Sequence, residues 1–208
     1  MQKAFTLSEV LLSLVIMGVI AAITVPSLMN NINKQQYISA YLKMYSSICQ
    51  VYNRVKTDNG GSLDSVFQEN DDYPRILQRY FSGSKVCSAY QTTGKCWPDK
   101  WYTISGGIVS SNENFSSSLI LNDGSIILFL HISSECTGST ELNTNTGCVR
   151  LRTDINGFKG PNRVGRDIYD FYLLDDRVIA RGDPLSTTDI SQESGWGKGY
   201  QILTMGKL

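Results

Sequence analysis

The chain has 208 residues, and its 19 Lys and Arg balance 19 Asp and Glu, so the formal net charge is zero. That length allows one domain with a real core, or a small domain with an appendage. A neutral total removes the electrostatic case for nucleic acid as the main partner. Hydrophobic residues make up an ordinary 41%, but the long apolar run lies in the first quarter, and the rest is polar and rich in glycine and tyrosine.

Lys3 and the terminal amine are the only positive charges ahead of Phe5-Thr6-Leu7-Ser8-Glu9. No charge occurs from Val10 to Val25, and the uncharged stretch continues to Asn33. A helix rising ~1.5 Å per residue needs about 20 residues to cross a hydrocarbon core of ~30 Å, and Phe5 to Val25 has that length. Retention of positive charge on the cytoplasmic side puts the N-terminus inside and everything after Val25 outside. A cleaved signal peptide would have a shorter apolar core and a small-x-small site, and Thr24-Val25-Pro26-Ser27 is a poor one. A buried core helix would show a single apolar stripe, whereas here apolar residues surround the helix. A plain anchor leaves Glu9 unexplained, because a carboxylate one turn inside an apolar segment costs a few kcal/mol and usually has a partner.

The run Ala4-Phe5-Thr6-Leu7-Ser8-Glu9-Val10-Leu11-Leu12 resembles the prepilin processing motif shared by type IV pilins, type II secretion pseudopilins and competence pseudopilins. The resemblance covers roughly residues 1–57. It implies that prepilin peptidase cuts before Phe5 and methylates the new amine, so that residues 1–4 are a leader and Glu9 is the fifth mature residue. Ala4 stands where the family usually carries Gly. Pro26 falls where pilin helices commonly carry a kinking proline. The implied protein is a structural subunit, not an enzyme, of a type IV pilus or type II secretion-like filament. Its partners would be other copies or related subunits, the peptidase and an inner-membrane assembly platform. It would cross the bacterial inner membrane once, with its N-terminus cytoplasmic, before entering a periplasmic or surface filament. The alternative is a membrane-anchored binding protein or a minor tip adhesin of such a filament. Charge physics fits the assembly reading. Cutting before Phe5 frees an α-amine that can meet Glu9 of a neighbouring subunit, and two charges that are costly alone in an apolar core offset each other.

Residues 5–29 therefore read as the transmembrane and assembly helix, and 30–208 as the extracytoplasmic globular domain. Within that domain, 30–57 continues the helix with an amphipathic pattern. Ile38, Leu42, Tyr45, Cys49, Tyr52 and Val55 or Lys56 form a stripe at steps of three or four, which predicts one face packed on a core. Asp58-Asn59-Gly60-Gly61 ends it with residues that accept left-handed geometry. Residues 58–116 form a variable loop region. It holds a short helix around Tyr73–Phe81 and a stapled loop from Cys87 to Cys96-Trp97-Pro98. Residues 117–208 form the sheet region. Ser118–Leu121 and Ser125–His131 flank Asn122-Asp123-Gly124, a hairpin signature. Cys148–Thr153 alternates as a half-buried strand, Ile168–Leu173 and Arg177–Ala180 follow, and Gln201–Met205 reads as a last short strand. Helix then sheet gives α+β, with four or five antiparallel strands packed on the amphipathic half of the helix. This is also the pilin fold that the resemblance implies.

The five cysteines are Cys49, Cys87, Cys96, Cys136 and Cys148. Neither close pair has C-x-x-C spacing, and a zinc site wants tighter Cys/His clusters. Two disulfides in an oxidising compartment fit better. The expected bridges are Cys87–Cys96 and Cys136–Cys148, although Cys49 could displace one partner. Cys49 otherwise reads as a buried helical thiol. In the loop Thr153–Asp167, Asp154, Asn156 and Asp167 offer hard oxygens, and some pseudopilins bind calcium in the equivalent late loop. Phe158 and Val164 or Gly165 fail the ligand positions of an EF-type loop, which favours an Asx-turn in a Gly/Pro loop and no metal or cofactor. His131 lies on a strand pattern, and no nucleophile elbow, zincin or P-loop motif occurs. Asp71-Asp72 and Asp175-Asp176 suggest turns. Trp97, Trp101 and Trp196 read either as the contact surface of a ligand binder or as core.

Overall fold

The computed structural model describes residues 6–69, 71–81, 85–89, 93–110, 117–131, 136, 148–184 and 195–207. The α+β arrangement is present, with a long N-terminal helix followed by a C-terminal antiparallel sheet. The first helix, α1, runs without interruption from Leu7 to Asp58, 52 residues, and contains Pro26. Proline lacks an N–H, so the Ala22 carbonyl one turn back has no helical donor from position 26. The helix ends where expected, with Gly60 and Gly61 at φ 76° and 93°.

Two compact units divide the chain at 36/37. In the first, every described residue is exposed, including Leu14, Val15, Ile16, Ile20 and Ile23. In the second, the helix has a buried face of Ile38, Tyr41, Met44, Ile48, Val51, Tyr52 and Val55. This corrects the phase of the predicted stripe. Tyr41, Met44 and Ile48 lead the buried face, Tyr45 and Cys49 flank it, and Leu42 is exposed.

The remaining elements belong to the second unit. They are α2 (Asp72–Leu77), β1 (Lys85–Cys87), β2 (Lys100–Tyr102), β3 (Ile108–Ser110), β4 (Ser117–Ile120), β5 (Ile126–His131), β6 (Val149–Asp154), β7 (Ile168–Leu173), β8 (Val178–Ala180) and α3 (Lys198–Met205). Strands β1, β4, β5, β6, β7 and β8 form one antiparallel sheet in that order, and β2 pairs with β3 apart from it. Six strands replace the expected four or five, because β1 adds to the edge of β4 from the region read as loop. The expected hairpin is β4–β5, with Ile120 opposite Ile126 and Gly124 at φ 86°. Gln201–Met205 is not a strand but the end of α3. That helix stops at Gly206, whose left-handed backbone donates its N–H to the Ile202 carbonyl, a common helix ending.

One face of the sheet, with Phe129, Leu151, Tyr169, Phe171 and Leu173, shares a core cluster with Tyr41, Met44, Ile48 and Val55 of α1. Tyr41 lies 4.5 Å from Tyr169 between ring centroids and stacks on Phe171. The other face carries a second cluster in which Trp97, Trp101 and Val164 cover Ile126, Leu128 and Ile168. β6 is therefore covered on both sides, and Arg152, expected on an open face, is 4% exposed.

Candidate functional site

The N-terminal turn of α1 is built from Thr6 and Glu9. The Thr6 backbone N–H and hydroxyl both donate to Glu9 Oε2, at 2.9 and 2.8 Å. In return the Glu9 N–H donates to the Thr6 hydroxyl oxygen at 3.3 Å. This is a capping box: Thr6 is the N-cap, Glu9 the third helical residue, and donors left over at the helix start are satisfied reciprocally. The sequence reading assigned Glu9 to assembly and missed Thr6. The signal was present in Thr6-x-x-Glu9 ahead of an apolar run. The cap leaves Glu9 Oε1 with no partner among the described residues, so capping and a second interaction are compatible. Ala4 and Phe5, the expected cleavage and methylation residues, lie outside the described residues.

Beyond Glu9, α1 carries no charge until Lys34. Two of its hydroxyls turn inward on the helix itself, Ser13 donating to the Val10 carbonyl and Thr24 to that of Ile20, each at 2.9 Å. Such back-bonding hides the hydroxyl proton from an apolar medium. This is one helix long and apolar enough to cross a membrane, and none of its most apolar stretch is buried. An apolar surface of that extent gains free energy only from lipid or from another protein surface.

The globular unit holds the other predicted residues. Cys87 is joined to Cys96 and Cys136 to Cys148, across Cα separations of 6.3 and 4.6 Å. Cys49 is a free thiol, half-buried, and burial pushes its pKa up against the opposing effect of a hydrogen bond with Tyr45. That environment disfavours the reactive thiolate. Asp154 and Asp167 come together at the ends of β6 and β7, both fully buried. Asp154 accepts the Asn156 N–H two residues on, the Asx-turn expected there. Asp167 accepts the N–H groups of Asn162 and Arg163. Burial, then the charge of Asp167, push the Asp154 carboxyl well up; burial also raises Asp167, against its backbone donors. No third carboxylate, histidine or cysteine joins them among the described residues. His131 is the last residue of β5, opposite Val149.

A buried ionic cluster that no local sequence pattern marks lies on β6, β7 and just past β8. Asp170 is 1% exposed. Arg152 reaches it from Nε at 2.9 Å, Arg181 at 3.1 Å, and Arg150 lies 3.9 Å away. Trp101 and Trp196 lie over the Arg152 guanidinium, each 4.6 Å from it, and Trp196 also meets Arg181 at 4.4 Å. Burial raises the Asp170 carboxyl, but the charge and hydrogen bonds of Arg152 and the charges of Arg150 and Arg181 outweigh it and hold its pKa below the usual range. The tryptophans are thus structural: Trp97 and Trp101 are buried and Trp196 half-buried, which removes the reading of these three as an exposed contact surface.

Residues 1–25 match the family described as the prokaryotic N-terminal methylation motif. It is the prepilin-type cleavage and methylation motif of type IV pilins and pseudopilins. No curated protein and no solved structure matches the chain.

Proposed function

We propose that this chain is a prepilin or pseudopilin, a structural subunit of a type IV pilus or type II secretion-like filament. The observation that carries the reading is the methylation motif at the head of an apolar helix with no buried residue before Tyr37. Prepilin peptidase cuts between Ala4 and Phe5 and methylates Phe5. The helix first anchors the subunit in the inner membrane, N-terminus cytoplasmic. It then packs against the same helix of other subunits in a periplasmic or surface filament. Pro26 bends the helix within that packing. Cys87–Cys96 and Cys136–Cys148 staple the exported domain, which suits an oxidising compartment.

Glu9 carries the assembly step. Its partner in this reading is the Phe5 amine of a neighbouring subunit, met through the carboxylate oxygen that the Thr6 cap leaves over. Glu9→Gln separates the two roles, because Gln at this position still completes a capping box while the charge is lost. An ammonium left without its counter-charge in an apolar contact costs about 3–5 kcal/mol, and filament growth repeats that contact at every subunit. Mature Glu9→Gln protein should accumulate in the membrane while filaments disappear in electron micrographs. Wild-type filament numbers would remove the pairing role, and accumulation of uncut precursor would place Glu9 in processing instead. Intact-mass analysis from the native host reads the cleavage, and a mature start near Ser27 would mean a signal peptide.

A further inference from the structure

One cleft in the globular unit lies between α1 and the turns that follow β4 and β6, and its volume is about 220 Å³. Buried Met44 and half-buried Leu121 and Ile155 give it an apolar floor. Exposed Lys43 and Asp123 stand at its rim. The helix leaves the space open because Ala40 and Ser47, one turn either side of Met44, are short. A space of that size holds several waters at about 30 Å³ each. Over an apolar floor such water is poorly held, and an apolar group that displaces it gains affinity.

The rim is a fixed anion beside a solvent-exposed cation. Asp123 Oδ1 accepts the Ser125 N–H at 3.1 Å and the Ser125 hydroxyl at 2.6 Å. The turn that carries Asp123 is itself pinned. The Leu121 N–H donates to the Ser125 carbonyl at 2.9 Å, and the Gly124 N–H to the Leu121 carbonyl at 3.0 Å. Gly157 backs onto the Gly124 carbonyl so closely that a Cβ there would collide with it. Asp123 Oδ2 is left to Lys43 Nζ, at 2.6 Å. Burial raises the Asp123 carboxyl, but the hydrogen bonds from Lys43 and Ser125 outweigh it and hold its pKa below the usual carboxylate range. The side chains of Lys43 and Asp123 are 67% and 45% exposed, and an ion pair in that setting contributes little stability. A ligand can therefore take either partner at small cost. The Ser47 hydroxyl donates to the Lys43 carbonyl at 2.9 Å, so toward a ligand it is an acceptor.

We infer that this cleft is a binding site for a small zwitterion, an α-amino acid with an apolar side chain. The ligand ammonium takes Asp123 Oδ2, its carboxylate takes Lys43 Nζ, and its side chain covers Met44, Leu121 and Ile155. Charge complementarity selects the class. The rim holds one charge of each sign in contact, and an α-amino acid carries both signs on one carbon beside an apolar group. A simple cation would displace Lys43 from Asp123 and give it nothing in exchange, and a simple anion would do the same to Asp123. The volume lies under the ~300 Å³ at which sites for drug-sized ligands begin, which limits the ligand to a single amino acid. All of these residues belong to the unit 37–208, so the inference stands apart from the membrane and filament reading of the first unit.

The test uses full-length protein in detergent micelles, with isotope-labelled methionine methyl groups read by NMR. Met44 reports the cleft floor, and exposed Met17, Met29 and Met205 report uptake elsewhere. Leucine should shift the Met44 signal saturably and leave the other three in place. Removing one ligand charge, as in leucinamide or isocaproate, should weaken binding about tenfold. Glycine, which has no side chain for the floor, should not shift Met44. D123N keeps an acceptor for the Ser125 donors but loses the charge, and it should cost about tenfold in leucine affinity. K43Q should cost as much, and K43R should restore binding. Because Lys43 is exposed on the helix, K43Q remains decisive even where D123N disturbs the turn. No saturable Met44 shift with leucine overturns the site, as does unchanged leucine affinity in K43Q. Isocaproate or leucinamide binding as tightly as leucine overturns the zwitterion, leaving an apolar cleft with one useful charge. N-acetylleucinamide binding as tightly overturns it in favour of a leucine within another protein. Equal shifts at all four methionines would mean partition into the micelle and would overturn it as well.

Discussion

The two stretches of α1 use the same backbone for opposite ends. Before Gln36 the helix exposes Leu, Ile and Val on all sides. From Tyr37 onward it buries one face in a core shared with the sheet. The second stretch finds its burial within the chain, where tertiary contacts supply most helix stability. The first buries none of its described residues, so its burial must come from lipid or from another protein surface. Apolar content alone does not separate these cases; the distribution around the helix axis does.

Matched truncations give the comparison its largest test. Ile48 is 1% exposed and Ile16 is 51% exposed. Ile48→Ala removes buried methyl groups and leaves a cavity, which costs about 2–5 kcal/mol. Ile16→Ala removes nothing buried in the monomer and should shift unfolding of the globular unit by less than about 0.5 kcal/mol. Denaturant titration in detergent, followed by near-ultraviolet circular dichroism, reads both. A large loss for Ile16→Ala would mean that the first stretch packs within its own chain.

Asp170 tests the self-contained unit from its charged side. Its carboxyl is held below the usual range, so the group ionises at lower pH folded than unfolded. It therefore adds stability above the ordinary carboxylate range, and that stability is lost as pH falls through the folded value. Asp154 and Asp167 have the opposite sign. Their raised values favour the folded state below the ordinary range, and this is lost as pH rises through the folded values. Asp170→Asn removes the carboxylate that Arg152 and Arg181 share, and breaking a buried ion pair from one side costs about 3–5 kcal/mol near neutral pH. The acid-side loss of stability should also flatten in the variant. Melts across the acid range check both effects, and an unchanged profile would show that Asp170 does not set the acid limb.

The split in α1 was legible because it is written along the sequence: an uncharged stretch from Val10 to Asn33, then spaced polar residues. The phase of the buried stripe was not. Tyr37, Tyr41, Tyr45 and Tyr52 occupy several faces, and tyrosine is apolar enough for a core and polar enough for a rim. Hydropathy therefore could not choose Tyr41 over Leu42. The burial of Arg152 depends on Trp101 and Trp196, each more than forty positions away, so no local pattern announced it. Gly199 of α3 is held to glycine by a distant side chain, because a Cβ there would lie 2.8 Å from the Tyr41 hydroxyl. That is a tertiary reason invisible in a window of neighbours. At Glu9 the two signals overlap, because Thr6-x-x-Glu9 is at once a capping box and part of the processing motif.

The smallest expected effect is the sharpest for the N-terminal turn. Thr6→Ala deletes the hydroxyl that links Thr6 to Glu9, while the bond from the Thr6 backbone N–H to Glu9 remains possible. Losing an N-cap side chain costs about 1 kcal/mol, and the cost should stay local, because among the described residues no hydrogen bond from Thr6 reaches beyond Val10. Hydrogen exchange in micelles should quicken at Leu7 to Val10, Thr6→Ser should restore the slower rate, and melting of the globular unit should not move. Filaments should still form, because Glu9 keeps its charge. Glu9→Gln gives the reverse pattern, with its cap kept and its charge gone. If Thr6→Ala abolished filaments as fully as Glu9→Gln, with cleavage intact, helix capping would explain the role of Glu9 in assembly and the charge pair would be unnecessary.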